Sequence, residues 1–215
     1  MSKIDLDPTA MDRTRVYKIV AGSVLPRPIG LISTVSVDGR NNVAPFSWFN
    51  ALSSDPPYVC VSIGTHMGDG RPKDTLKNII DTGEFVVNIV SEDIVRAQDM
   101  CAREYPADID EFAVSGLTPS ASRMVAAPAV LESRVNFECR LFKTIPLPRS
   151  TYTLVLGEIV FMRVHEEVLE ESGRINRAKL LPVGRLAGNA YCRTTDAFTL
   201  DHDAFETHER LSTGD

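Results

Sequence analysis

The sequence predicts a mainly β domain with a few short helices, and three stretches carry that prediction. Leu131, Ser133, Val135, Phe137, Cys139 and Leu141 alternate with Glu132, Arg134, Asn136, Glu138 and Arg140, the period of a strand with one more polar face. Thr151 to Val164 is long and β-rich, set off by Pro146 and Pro148, so the two segments pair as a late hairpin. Ile29 to Val37 is rich in Ile, Leu, Val and Thr and ends at Asp38-Gly39, a hairpin turn. A chain of 215 residues, 43% hydrophobic and 24% charged, is long enough for one substantial core. A single domain is expected over residues 1–200, with the acidic, polar 201–215 as a peripheral or flexible tail.

Taken in order, Val16 to Val20 suits a short helix or a strand, and Gly22 and Pro26-Arg27-Pro28 punctuate the chain. After the first strand, Val43 to Ala51 returns antiparallel, with Pro45 at an edge or bulge. Tyr58 to Ile63 supplies a third strand, followed by a loop containing Gly64, Gly68, Gly70 and Pro72. A short helix follows, with Leu76, Ile79 and Ile80 at helical spacing, Asp74 as N-cap and Gly83 as stop. Glu84 to Val90 is a strand, and Ser91 caps a helix burying Ile94, Ala97 and Cys101. Glu104 to Ala127 reads as loops with a short helix near Pro106 to Phe112, and Leu180 to Leu186 as a loop-rich return.

Composition removes several functions. A formal charge of −6 argues against a general nucleic-acid binder. The N-terminal MSKIDLDPTAMDR has acidic residues and no continuous apolar core, so no secretory leader is expected, and no stretch approaches membrane-spanning length. A cytoplasmic location is the corresponding expectation. The four cysteines are widely separated and the four histidines scattered, so reduced thiols and no metal site are expected.

The chemistry concentrates between Arg27 and Ile79. A strand, a glycine-containing loop and a helix N-terminus suit an anion, because free backbone N–H groups and the helix dipole favour negative charge. Lys73 adds a cation and Thr75 a hydroxyl, with Arg27 within reach from an adjacent strand. The alternative is that Lys73 and Arg27 are solvated while Asp74 and Thr75 only cap the helix. Ser47, Trp48, Asn50 and Ala51 offer polar groups and an aromatic surface to a planar ligand, although Trp48 equally suits a core or interface. Ser62 and His66 add donors, and His66 equally suits a surface loop. No Ser-His-Asp motif and no GxGxxG fingerprint is present.

The ordered motifs RPIGLIST, NxAPFSWFN, DPPYVCVSIG, KDTLKNI, TGEFVVNIV and GRLAGNAYCR, spread from Pro26 to Arg193, resemble the flavin-reductase-like FMN-binding split-barrel family. The resemblance implies a Greek-key split β-barrel that forms a homodimer, with FMN near the interface. It implies Ser47, Trp48, Asn50 and Ala51 around the ring or ribityl chain, and Ser62, His66, Lys73 and Thr75, with Arg27, toward the phosphate. Asn88 and Tyr191 would line the pocket or its partner edge; their alternatives are a strand amide and an interface aromatic. The implied activity is an FMN-dependent oxidoreductase taking electrons from NAD(P)H, a transient donor, to free flavin, another small-molecule acceptor or a partner monooxygenase. The alternatives are a protein that only binds or stores FMN and a dimeric interaction protein with a vacant pocket.

Overall fold

In the computed structural model, which describes residues 1–66, 68–106 and 108–200, two consecutive strands form the opposite edges of one sheet. Helix α1 (Arg13–Ser23) leads into strands β1 (Gly30–Val35), β2 (Asn41–Phe46), β3 (Phe49–Ser54) and β4 (Pro57–Ile63). Helix α2 (Asp74–Thr82), strand β5 (Glu84–Ile89) and helices α3 (Val95–Met100) and α4 (Glu111–Ser115) follow. The chain continues through the short pair β6 (Pro119–Ser120) and β7 (Ala129–Val130), the long pair β8 (Val135–Pro146) and β9 (Thr153–Val164), helix α5 (Arg177–Leu180), and the small pair β10 (Val183–Arg185) and β11 (Tyr191–Arg193). The main sheet has seven strands in the order β2-β1-β5-β8-β9-β4-β3, and every pairing in it is antiparallel.

That order forces closure. A flat seven-stranded sheet would hold its edges about 29 Å apart at about 4.8 Å per strand. Only Ser47 and Trp48 separate β2 from β3, and three Cα steps reach roughly 11 Å. The sheet therefore curls until its two unpaired edges come within the reach of that link, which is tied down on the β3 side where the Trp48 carbonyl accepts from the Ser62 N–H of β4 at 2.8 Å. The expected mainly β, Greek-key split barrel with a few short helices is the observed fold.

The barrel interior holds Ile32, Val59, Val61, Ile63, Phe85, Val87, Cys139 and Val155, with Leu76 and Ile79 of α2 closing one end. Phe85 lies on Gly157, where an added Cβ would sit 2.3 Å from the ring. A second cluster, including Leu31, Val43, Ile94, Cys101 and Phe112, packs α3 and α4 on the outer face of β1 and β2.

Several boundaries differ from the sequence reading, each for a local reason. The stretch 43–51 is two strands, because the chain crosses the seam at Ser47-Trp48; Pro45 does lie on an edge strand, where its missing N–H costs no ladder bond. Residues 16–20 lie within α1, capped by Asp12 accepting from Arg15 N–H at 2.9 Å. Lys73, not Asp74, is the N-cap of α2, and Ile80 faces outward at 54% exposure. The next helix starts at Val95, beyond Ser91. In the 104–127 stretch the helix is Glu111–Ser115, capped by Asp110. Pro146 ends β8 rather than lying between strands. Leu180–Leu186 holds the end of α5 and all of β10. Glu138, placed by alternation on the more polar face, is 1% exposed, its carboxylate accepting from Arg123 N–H at 2.8 Å and Met124 N–H at 2.6 Å. The tail expected over 201–215 lies outside the described residues.

Candidate functional site

Three clefts open along the seam. The first, of about 470 Å³, has Trp48 and Ser62 at its floor, with Tyr17 of α1 and Leu147 and Tyr152 of the β8–β9 turn around them. The second, of about 150 Å³, is lined by Arg27, Ser47, Gln98, Arg185 and Tyr191. The third, of about 40 Å³, lies at the α2 N-terminus among Asn42, His66, Lys73, Thr75 and Glu111. Tyr17 lines both the first and the second, and Pro45 and Ala102 line both the second and the third. The three are therefore neighbours with common walls, laid out in series from Trp48 to Lys73.

The third cleft suits an anion. Residues after Lys73 begin α2, whose first-turn N–H groups lack intrahelical acceptors. Lys73 forms no ion pair among the described residues. Thr75 is 1% exposed and its hydroxyl accepts from Asn42 Nδ2 at 3.0 Å, leaving its own proton available to a ligand. The His66 side chain is only 10% exposed, with Nδ1 3.5 Å from Glu104 Oε1, yet its Nε2 is buried without a partner among the described residues. A buried polar atom with no partner is costly unless a ligand or water meets it. Glu111 Oε2 is likewise buried and unpaired among the described residues, and burial pushes that carboxyl above its ordinary range, against the opposing pull of backbone N–H groups. A carboxyl shifted toward its neutral form opposes an anion less than a carboxylate does.

The second cleft is built differently. Arg27 is 5% exposed and spends its guanidinium on backbone carbonyls: Ala21 at 2.5 Å and Val24 at 3.1 Å from Nη1, and Leu186 at 3.1 Å from Nη2. Its backbone pairs with Arg185, and its guanidinium stands 6.0 Å from the Trp48 ring centre. Arg27 thus ties α1 and the C-terminal return to the seam. Arg185 stacks 4.6 Å over Tyr191 and donates to its hydroxyl, which donates to Asp99 Oδ1 at 3.0 Å. Gln98 is 2% exposed, and its Oε1 has no partner among the described residues.

Of the residues picked from sequence, Trp48 and Ser62 meet in the first cleft, Arg27, Ser47 and Tyr191 in the second, and His66, Lys73 and Thr75 in the third. Asn50 and Ala51 lie exposed on β3 and line none of the three. Asn88 is fully buried as a strand amide: Nδ2 donates to Leu31 O at 2.8 Å and Ser33 Oγ at 2.9 Å, and Oδ1 accepts from Val130 N–H and Asn136 Nδ2, both at 2.8 Å. Sequence reasoning missed Gln98, Glu111 and Tyr152. Gln98 interrupts the apolar face of α3 beside Ala97 and Cys101, a signal that was there to use; Glu111 and Tyr152 carry none.

The flavin reductase like domain model matches residues 22–185, which contain the seam and the whole lining of the third cleft, while α1 and Tyr191 add walls to the other two from outside the match. The chain belongs to that family. This flavin reductase–like chain is 41% identical over 182 residues to an uncharacterized protein of Aquifex aeolicus, covering 85% of this chain and 91% of that one. Nitrilotriacetate monooxygenase component B from Bacillus cereus superposes with a TM-score of 0.89 at 34% identity, covering 93% of this chain and all (100%) of that one. The 2-nitrobenzoate 2-nitroreductase of Pseudomonas fluorescens gives a TM-score of 0.83 at 34% identity, over 92% and 95% of the two chains. In general terms the chain is a flavin oxidoreductase. Among the described residues, no helix is long and apolar enough to cross a membrane, and no group of His, Cys, Asp and Glu is arranged to hold a metal.

Proposed function

We propose that this protein is an FMN-dependent oxidoreductase that takes reducing equivalents from NAD(P)H to free flavin or another acceptor, as the reductase component of a two-component monooxygenase. The observation that carries the reading is the series of adjoining clefts, whose narrow end brings together Lys73, Thr75 and His66, its Nε2 unpartnered among the described residues, at a helix N-terminus. In this reading Lys73, Thr75 and His66 hold the phosphate, Ser47 and Pro45 flank the middle of the cofactor, and Trp48 and Ser62 meet the ring. FMN, when bound, supplies a two-electron acceptor for hydride from a reduced nicotinamide. The chain's own part is to orient that ring and leave one face open beside Trp48. The likeness to a monooxygenase component B supports a separate hydroxylase as recipient. Asn50 and Ala51, exposed on an edge strand, are then ring contacts completed across a homodimer.

The decisive test is the absorption spectrum of purified protein before and after anaerobic addition of NADH or NADPH. Bound flavin that bleaches saturably with either donor is expected, and Lys73→Gln should weaken FMN about tenfold while leaving riboflavin binding unchanged, as for one charge-assisted phosphate contact. Flavin that binds without bleaching would leave only a flavin-holding protein.

A further inference from the structure

The wide first cleft has a composition that cofactor binding alone does not require. Its body is aromatic and apolar: Trp48 at the floor, Tyr17 and Tyr152 on the sides, with Leu147 and Met11 beside them. Tyr152 is fixed by packing on Gly64, where an added Cβ would meet its ring at 3.2 Å, and burial raises its phenol's pKa. Two cations stand at the rim, Arg13 at the start of α1 and Arg149 in the β8–β9 turn. No Asp or Glu is among the described lining residues. Neither arginine makes a side-chain hydrogen bond or ion pair among the described residues, although the chain carries a net charge of −6. Arg40, Arg71, Arg134, Arg163 and Arg193 stand beside carboxylates, whereas Arg13 and Arg149 share a cleft whose described lining offers none.

Arg149 adds a second sign. Its backbone lies at φ 62, the left-handed region that favours glycine, within a turn closed by Leu147 N–H to Tyr152 O at 3.0 Å and Ser150 N–H to Leu147 O at 3.1 Å. A long side chain is held there in a conformation that L-residue sterics disfavour. Glycine would satisfy the turn better, so nothing in the turn's geometry accounts for an arginine.

We propose that Arg13 and Arg149 form a cationic clamp for the second substrate, a flat aromatic molecule carrying negative charge, whose ring enters between Tyr17 and Tyr152 toward Trp48. This rests on the flavin reading above, since the cleft reaches Trp48 and Ser62, which that reading sets at the flavin ring. Two sources share the chemistry: the diphosphate of a reduced pyridine nucleotide, and the carboxylate of an aromatic acceptor. The clamp joins the N-terminal segment to the hairpin tip, so the bound anion bridges two elements that otherwise meet only across the cleft.

The test uses FMN-loaded protein with Arg13→Gln, Arg149→Gln and the double substitution, plus Arg149→Gly, which removes the charge while suiting the backbone. Flavin reduction is followed by anaerobic stopped flow with NADH and with 1-benzyl-1,4-dihydronicotinamide, which has the ring but no phosphate. Equilibrium binding of NADH and 2-nitrobenzoate is titrated separately. Each substitution should raise the NADH concentration for half-maximal reduction roughly tenfold, as for one charge-assisted hydrogen bond, and leave the neutral donor unchanged. If NADH is unaffected but 2-nitrobenzoate binding weakens by that factor, the clamp serves the acceptor. Unchanged binding of both in the double variant overturns the proposal, as does equal loss with the neutral donor. Wild-type protein that binds no flavin would overturn the function proposed above, while the two binding titrations would still decide the clamp.

Discussion

Replacing Arg27 separates a structural arginine from a phosphate ligand. Arg27→Met keeps length and packing but removes the donors to Ala21, Val24 and Leu186. Ala21 is 4% exposed, so its carbonyl is left without water and costs about 1–3 kcal/mol. Val24 is 54% exposed and Leu186 partly so, and their carbonyls recover hydration, for roughly 0.5 kcal/mol each. The contact with Ser47 Oγ, at 3.4 Å, is too long to add much. The expected loss is therefore about 2–4 kcal/mol, partly offset because a buried charge is no longer desolvated. Urea unfolding without flavin measures it, and FMN titration on the folded variant measures the other role. A stability loss under about 1 kcal/mol with a tenfold or greater loss of FMN affinity would refute the argument and return Arg27 to the phosphate.

Two further outcomes follow from the core and from Glu111. Gly157→Ala should cost about 1–3 kcal/mol by forcing the Phe85 ring aside, and Phe85→Leu in the same chain should recover part of that; additive losses in urea unfolding would mean the contact is not the cause. Burial raises the Glu111 carboxyl, so its folded pKa lies above the ordinary 4.5: the protonated form's contribution is complete below pH 4.5 and is lost as pH rises through the folded value. Glu111→Gln should therefore match the wild type in urea midpoint near pH 4 and exceed it at pH 7.5, and a constant difference across that range would contradict the assignment.

The barrel was legible where a residue's local pattern and its tertiary environment agree. The hairpin at Asp38-Gly39 is present with Gly39 at φ 80, and Gly83 ends α2 at φ 73, because both positions need what glycine alone adopts freely. The Lys73-Thr75 helix start was legible for the same reason. What alternation cannot reveal is which strand becomes an edge: 43–51 keeps its strand character straight through Ser47-Trp48, although its halves lie at opposite ends of the sheet. Nor does it separate a solvated carboxylate from Glu138, whose partners come from the loop at 123–124. Arg27 and Asn88 look like ligands in the sequence because both are polar beside a strand; the partners of Asn88, at 31–33 and 130–136, are too distant in the chain to suggest that it is already satisfied, and the nearby partners of Arg27 are backbone carbonyls at the end of α1, which side-chain patterns do not reveal.

Hairpin turns elsewhere in this molecule can lengthen or shorten at little cost, since each added residue only enlarges a loop. The Ser47-Trp48 link cannot. One residue inserted there would turn every side chain of β3 to the opposite face, and would slide Trp48 off the carbonyl bond that fixes it to Ser62. The spacing between Phe46 and Phe49 therefore acts as the molecule's ruler: it limits how far the two free edges of the seven-stranded sheet can stand apart, the one dimension that strand number leaves open.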